Sequence, residues 1–221
     1  KVMGGKASGP EPLRSLMDFV REKILRRQGR RLRSVDVHDI ICKIGECVVS
    51  GGVRRTAMIS LSDLDDAELR DAKKGQFFLT HPHRSVANNS AVYEARPSNT
   101  ELVEEWVALM KSGSGERGIF NRGSLGNTLP QRRARYFKKV GFLGTDGIVV
   151  GPIGTNPCGE IILQSKQFCN LSEIIARADD TQESLVRKAR LAALLGTYQS
   201  TLTKFNYISK AWKKHCDEER L

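Results

Sequence analysis

The sequence predicts an α/β fold, and three observations lead there. Segments with an apolar residue every three or four positions alternate with short apolar and β-branched runs, the pattern of helices interleaved with strands. The 221 residues are 39% hydrophobic and 28% charged, which suits a packed core of domain size. Nothing approaches the roughly 18 consecutive apolar residues of a membrane helix.

Residues 1–12 are rich in Gly, Ser and Pro and read as a loop. Glu11 and Pro12 suit a helix start, and Leu13, Leu16, Met17, Val20, Ile24 and Leu25 follow at helical spacing. The basic run 26–33 closes that helix at Gly29 as a solvated end, though its arginines could also grip phosphate. Ser34 or Asp36 can cap a second helix carrying Val37, Ile40, Ile41, Ile44 and Val48. On it Cys42 and Cys47 read as core thiols and His38 as a surface or packing histidine.

Residues 56–61 predict a strand, and 63–74 a polar helix with acids first and bases last. His81 and His83 flank Pro82 in a loop over 75–86, with no third metal ligand near in sequence. Residues 87–94 predict a second strand. Its Asn88-Asn89-Ser90 is polar for a strand and implies a polar cavity rather than a dry core. Asn99 or Thr100 caps a helix to Met110, with Leu102, Val103, Trp106, Val107 and Met110 on one face and Glu101, Glu104 and Glu105 opposite. Residues 118–121 form a short strand, and 122–150, basic and poorly patterned, read as a surface insertion. Residues 160–163 and 168–175 are strand candidates, 181–203 a long amphipathic helix, and 208–221 the start of another.

The net charge of +11 calls for an anionic partner, either nucleic acid or smaller phosphates. Aromatics are 6%, and no stretch interleaves them with bases as a single-strand binder does. The five cysteines, at 42, 47, 158, 169 and 216, form neither a secreted disulfide framework nor a zinc spacing. With no signal peptide at Lys1-Val2-Met3-Gly4-Gly5, this points to the cytoplasm. The chain lacks an initiator Met and stops inside a helical pattern, so a fragment of one domain is expected.

The stretch with most chemistry is Gly154-Thr155-Asn156-Pro157-Cys158-Gly159-Glu160. Pro157 and Gly159 make it a loop. In an extended loop Asn156, Cys158 and Glu160 share one side, grouping an amide, a thiol and a carboxylate. A turn around a buried structural cysteine is the plainer alternative.

Asn156-Pro157-Cys158-Gly159-Glu160-Ile161, followed by Cys169-Asn170-Leu171, resembles the active-site region of ribonucleotide reductases. Gly4-Gly5-Lys6-Ala7-Ser8-Gly9-Pro10, Gly51-Gly52-Val53-Arg54-Arg55, Ala87-Asn88-Asn89-Ser90, 115–120 and 196–201 look like the class II, adenosylcobalamin-dependent members. The matches are collinear and span nearly the whole chain.

The resemblance implies part of a ten-stranded α/β barrel of two antiparallel five-stranded halves, with a central finger loop. It implies a thiyl radical on Cys158, a base at Glu160, a sugar-binding amide at Asn156, and at Cys169 one of two cysteines that become a disulfide as the 2′-hydroxyl leaves as water. The implied activity is reduction of ribonucleoside di- or triphosphates to 2′-deoxyribonucleotides for DNA synthesis. Adenosylcobalamin would be the cofactor, a thioredoxin-like dithiol the reductant, and a dNTP the allosteric effector. Lys6, Ser8, Asn88, Asn89 and Ser90 are the expected substrate or effector contacts, and 75–86 the second specificity loop. No partner for Cys169 and no phosphate loop is visible, so missing barrel segments are expected in the same polypeptide or a second chain. The alternatives are a reductase of another radical class, or a catalytically incomplete basic fragment that binds nucleotides or nucleic acid.

Overall fold

The computed structural model describes residues 9–48 and 56–219. The chain divides into two compact units. One holds the described residues to Thr128 with Gly147–Val149 and Pro157–Gly159. The other holds Leu129–Asp146, Val150–Asn156 and the described residues from Glu160 on.

The first unit opens with α1 (Glu11–Arg26), which has Pro12 in its first turn and Lys23 and Arg26 in its last. That arrangement spares a backbone donor and matches the helix dipole. Helix α2 (Ser34–Cys47) follows. Its start is secured from inside: Asp36 accepts from the Arg33 backbone N–H at 3.2 Å and from the Arg33 guanidinium at 2.9 Å. Those Arg33 bonds hold the Asp36 carboxyl down at about 2.

Three strands, β1 (Met58–Ser62), β2 (Ala87–Tyr93) and β3 (Gly118–Asn121), form a parallel sheet in the order β1-β2-β3. Parallel neighbours need crossovers. The first passes through the short α3 (Ala67–Arg70), α4 (Phe77–Thr80) and a 3₁₀ turn at Pro82–Val86. The polar helix expected over 63–74 is thus only one turn long, capped by Asp66 on Leu69 N–H. The second crossover is α5 (Asn99–Ser112). Ser98 is its cap, one residue before the expected position. Ser98 Oγ accepts from Glu101 N–H, and Glu101 accepts in return from Ser98 N–H, a reciprocal box. Gly113, at φ +69°, ends the helix in the left-handed region. The unit continues to α6 (Leu125–Thr128).

The central strand β2 is buried along its length except at Asn88. Ala91, Val92 and Tyr93 form the continuous apolar run of a strand covered on both faces.

Two helices turn differently from their hydrophobic patterns. On α2 the buried residues are Val35, Asp36, His38, Asp39, Cys42 and Gly45, while Val37, Ile41, Ile44 and Val48 are exposed. On α5 Glu105 is buried, while Leu102, Val103, Trp106 and Met110 are exposed. The reason is ionic. Asp39 is fully enclosed by Lys23 Nζ at 2.7 Å, Arg84 Nε at 2.6 Å and His83 Nε2 at 3.1 Å. Glu105 is paired with Arg117 Nε at 2.7 Å, and Arg117 also donates to Ser62 Oγ. A buried carboxylate with several donors is tolerated where a lone one is not.

The second unit contains α7 (Gln131–Lys139), the antiparallel hairpin β4 (Ile153–Thr155) and β5 (Ile162–Gln164), α8 (Gln182–Ser200) and α9 (Lys210–Glu219). Arg133 on α7 makes two hydrogen bonds to buried Glu219 on α9, at 2.7 and 3.0 Å. Tyr136 accepts from Gln164 of β5 and donates to Glu218. The segment 122–150, read from sequence as a surface insertion, therefore carries helices and buries Leu125, Phe137 and Leu143.

The strand expected over 168–175 does not form. That segment is held to α8 by side chains instead: Lys188 Nζ donates to Ile175 O and Ser172 Oγ to Ala192 O, both at 3.0 Å. No helix among the described residues is long and apolar enough to cross a membrane.

Candidate functional site

The Asn-Pro-Cys-Gly-Glu sequence is the tip of the β4–β5 hairpin. The ladder pairs Ile153 with Gln164, Gly154 with Leu163 and Thr155 with Ile162. Asn156 N–H extends it by donating to Ile161 O at 3.1 Å. The return bond is unusual: Ile161 N–H donates at 2.9 Å to the Asn156 side-chain oxygen. An asparagine at this position thus closes the hairpin with its own amide, as Asx turns do. It is 6% exposed. Its Nδ2 donates to Glu160 Oε1 at 2.5 Å.

The chain then turns sharply. Pro157 restricts φ, and Gly159 sits at φ +91°, a conformation an L side chain resists. The expectation of an extended loop with alternating faces is therefore corrected. The turn brings Asn156 and Glu160 together by curvature rather than by period-two spacing. Cys158, within the turn, is exposed.

The other cysteines differ. Cys42 is fully buried beside His38, and burial followed by the Asp39 charge pushes its thiol up to about 12. It stays protonated and inert at neutral pH. Cys216 is buried and shifted upward for the same first reason. Cys47 and Cys169 are half-buried, and all five cysteines are free. Cys169 follows Phe168, whose ring meets Phe205 edge-on at 5.0 Å and stacks near Trp212 at 6.2 Å.

Asn88, Asn89 and Ser90 do not act as one group. Asn88 is exposed and its Nδ2 donates at 2.9 Å to the Pro157 carbonyl. Asn89 is buried, with Oδ1 3.3 Å from His38 Nε2. Ser90 is buried beside Gly118. Lys6 and Ser8 lie outside the described residues. The loop 75–86 carries α4 and the 3₁₀ turn, and within it His83 and Arg84 face Asp39. No group of three or more His, Cys, Asp or Glu among the described residues is arranged to hold a metal ion.

Sequence reasoning missed Asn88 as a contact of the cysteine loop and Asp39 as an ionic centre. The partners lie 69 and 45 residues away, and no local pattern marks them.

No family model matches the chain, and no solved structure matches it. Curated relatives do. An adenosylcobalamin-dependent ribonucleoside-triphosphate reductase from Lactobacillus delbrueckii subsp. bulgaricus is 36% identical over 197 residues, 86% of this chain and 24% of the relative. The enzymes of that name from Lactobacillus helveticus and Lacticaseibacillus paracasei are 30% identical over 204 residues and 36% over 172. These cover 92% and 77% of this chain, and 26% and 21% of the relatives. The chain thus spans about a quarter of the length of the curated relatives it matches. That likeness runs through the hairpin tip, and the chain belongs to the adenosylcobalamin-dependent, class II ribonucleotide reductases.

Proposed function

We propose that this chain supplies the radical-bearing loop of an enzyme that reduces ribonucleotides to 2′-deoxyribonucleotides, with the triphosphates named for its relatives as substrates. The observation that carries the reading is the hairpin tip, where an exposed cysteine is flanked by an asparagine and a glutamate joined at 2.5 Å. The barrel of ten strands is part of the same proposal, and the three parallel strands suit one of its halves. So are a dNTP effector, a thioredoxin-like reductant and a role in supplying DNA synthesis in the cytoplasm.

Adenosylcobalamin fits the donor set. Cys158 is the exposed one of five cysteines, and a thiol must be reachable to pass a hydrogen atom to a bulky cofactor. The Pro157–Gly159 tip is what this chain would turn toward it. When bound, the cofactor supplies an unpaired electron through homolysis of its cobalt–carbon bond.

The remaining steps belong to the chain's residues. The Cys158 sulfur, as a thiyl, takes the 3′ hydrogen atom of the ribose. The Glu160 carboxylate takes the 3′-hydroxyl proton. Asn156 holds Oε1 of that carboxylate with one N–H and has a second N–H for the sugar. Cys169 and its partner thiol each give one electron and one proton and become a disulfide, and the 2′-hydroxyl leaves as water. The positive charge of the chain favours a phosphorylated substrate.

Two measurements test this in the full-length enzyme. Turnover should require adenosylcobalamin and no metal-bearing second subunit; turnover without the cofactor overturns the assignment. Cys169→Ser should keep exchange of the 3′ hydrogen but lose steady dithiol-driven reduction. Undiminished multiple turnover would remove Cys169 from the redox pair.

A further inference from the structure

Asn88 stands out on β2. It is the one exposed residue of a strand otherwise buried, and asparagine is disfavoured in strands. Its side chain is not idle: Nδ2 donates at 2.9 Å to the carbonyl of Pro157, the residue before Cys158. A peptide unit is planar and includes the next Cα. Holding the Pro157 oxygen therefore restrains the peptide plane that carries the Cα of Cys158.

The anchor itself is braced on both sides. The carbonyl of Ala87, just before Asn88, accepts from buried Lys73 Nζ, which also pairs with Glu116 at 2.8 Å. Asn89, just after it, meets His38 in the interior. The 3₁₀ turn leading into β2 is tied by Arg84 to Asp39 at 2.6 and 2.9 Å. Asn88 thus projects from a strand end whose backbone has little freedom, and a hydrogen bond from a rigid donor orders its acceptor best.

We propose that Asn88 is a positioning residue for the Cys158 thiol: it holds the turn through the Pro157 carbonyl rather than touching nucleotide or effector. This rests on Cys158 being the hydrogen-abstracting residue. A loop misplaced by an ångström can cost a large part of a rate while substrate binding, made elsewhere, persists.

The test uses the full-length enzyme with Asn88→Asp, which keeps shape but loses the donor, and Asn88→Gln, which keeps a donor. Two readouts are taken: kcat and KM, and amide hydrogen exchange at Cys158, Gly159 and Glu160 without cofactor or substrate (Pro157 has no amide hydrogen). Asn88→Asp should lower kcat roughly tenfold with KM nearly unchanged, the effect of one lost hydrogen bond. It should also speed exchange at the three amides by about the same factor. Asn88→Gln should recover most of both. A raised KM at unchanged kcat would make Asn88 a substrate contact and overturn the proposal. So would a loosened turn with normal kcat, or a lowered kcat with a turn as protected as before. An active Cys158→Ser enzyme would sink the radical assignment and the proposal with it. Wild-type behaviour of Asn88→Asp beside an inactive Cys158→Ser sinks the proposal alone.

Discussion

Cys158→Ser in the full-length enzyme is expected to lower nucleotide reduction by roughly four orders of magnitude or more, the scale seen when the group that changes bonds is removed. The alcohol O–H is far stronger than the thiol S–H, so serine cannot serve as a reversible hydrogen-atom carrier. The fold should be untouched. Cys158 is exposed at a turn whose shape is set by Pro157, Gly159 and the Asn156 bonds to Ile161 and Glu160. Melting temperature and nucleotide affinity should match the parent protein. Substantial reduction by the serine variant would leave the hairpin tip with no chemical role.

Asp39→Ala is expected to be the most damaging change away from the turn. Asp39 is fully buried and answers Lys23 of α1 and His83 and Arg84 of the 3₁₀ turn. Burial alone would raise its pKa. Donors from His38, His83, Arg84 and Lys23 reverse this and hold it far below the ordinary carboxylate range. Removing the carboxylate leaves cations facing one another in the interior, which costs about 3–5 kcal/mol. The melting temperature should fall by roughly 10 °C. The pH dependence has a fixed sign. A carboxylate whose folded pKa is depressed stabilises the fold above its unfolded pKa of about 3.9, and that contribution drains away as pH falls below it. The parent protein should therefore lose stability on acidification below about pH 4 more steeply than Asp39→Ala. Equal acid slopes, or a shift of only a degree, would mean the cluster is not a structural hub.

The elements were legible in sequence where local chemistry decides them. Pro12 marks α1, Thr181 caps α8, and the three parallel strands fall close to the segments 56–61, 87–94 and 118–121 expected for them. What local patterns could not carry was which face turns inward. A charged residue within a helix reads as solvent-facing until its partner is known, and Asp39 and Glu105 find theirs on distant segments. Strand β4 has three residues, too few to show alternation. At the turn the residue types and spacing were readable. The pairing of Asn156 with Glu160 was not, because it depends on the left-handed Gly159 rather than on an extended chain.

The most direct measurement of the account is electron paramagnetic resonance of the full-length enzyme, freeze-quenched with adenosylcobalamin and ribonucleotide after β-deuteration of its cysteines. A sulfur radical on Cys158 predicts a signal whose hyperfine structure narrows on deuteration and which is absent from Cys158→Ser. A signal that is indifferent to deuteration, or that persists in Cys158→Ser, would contradict it.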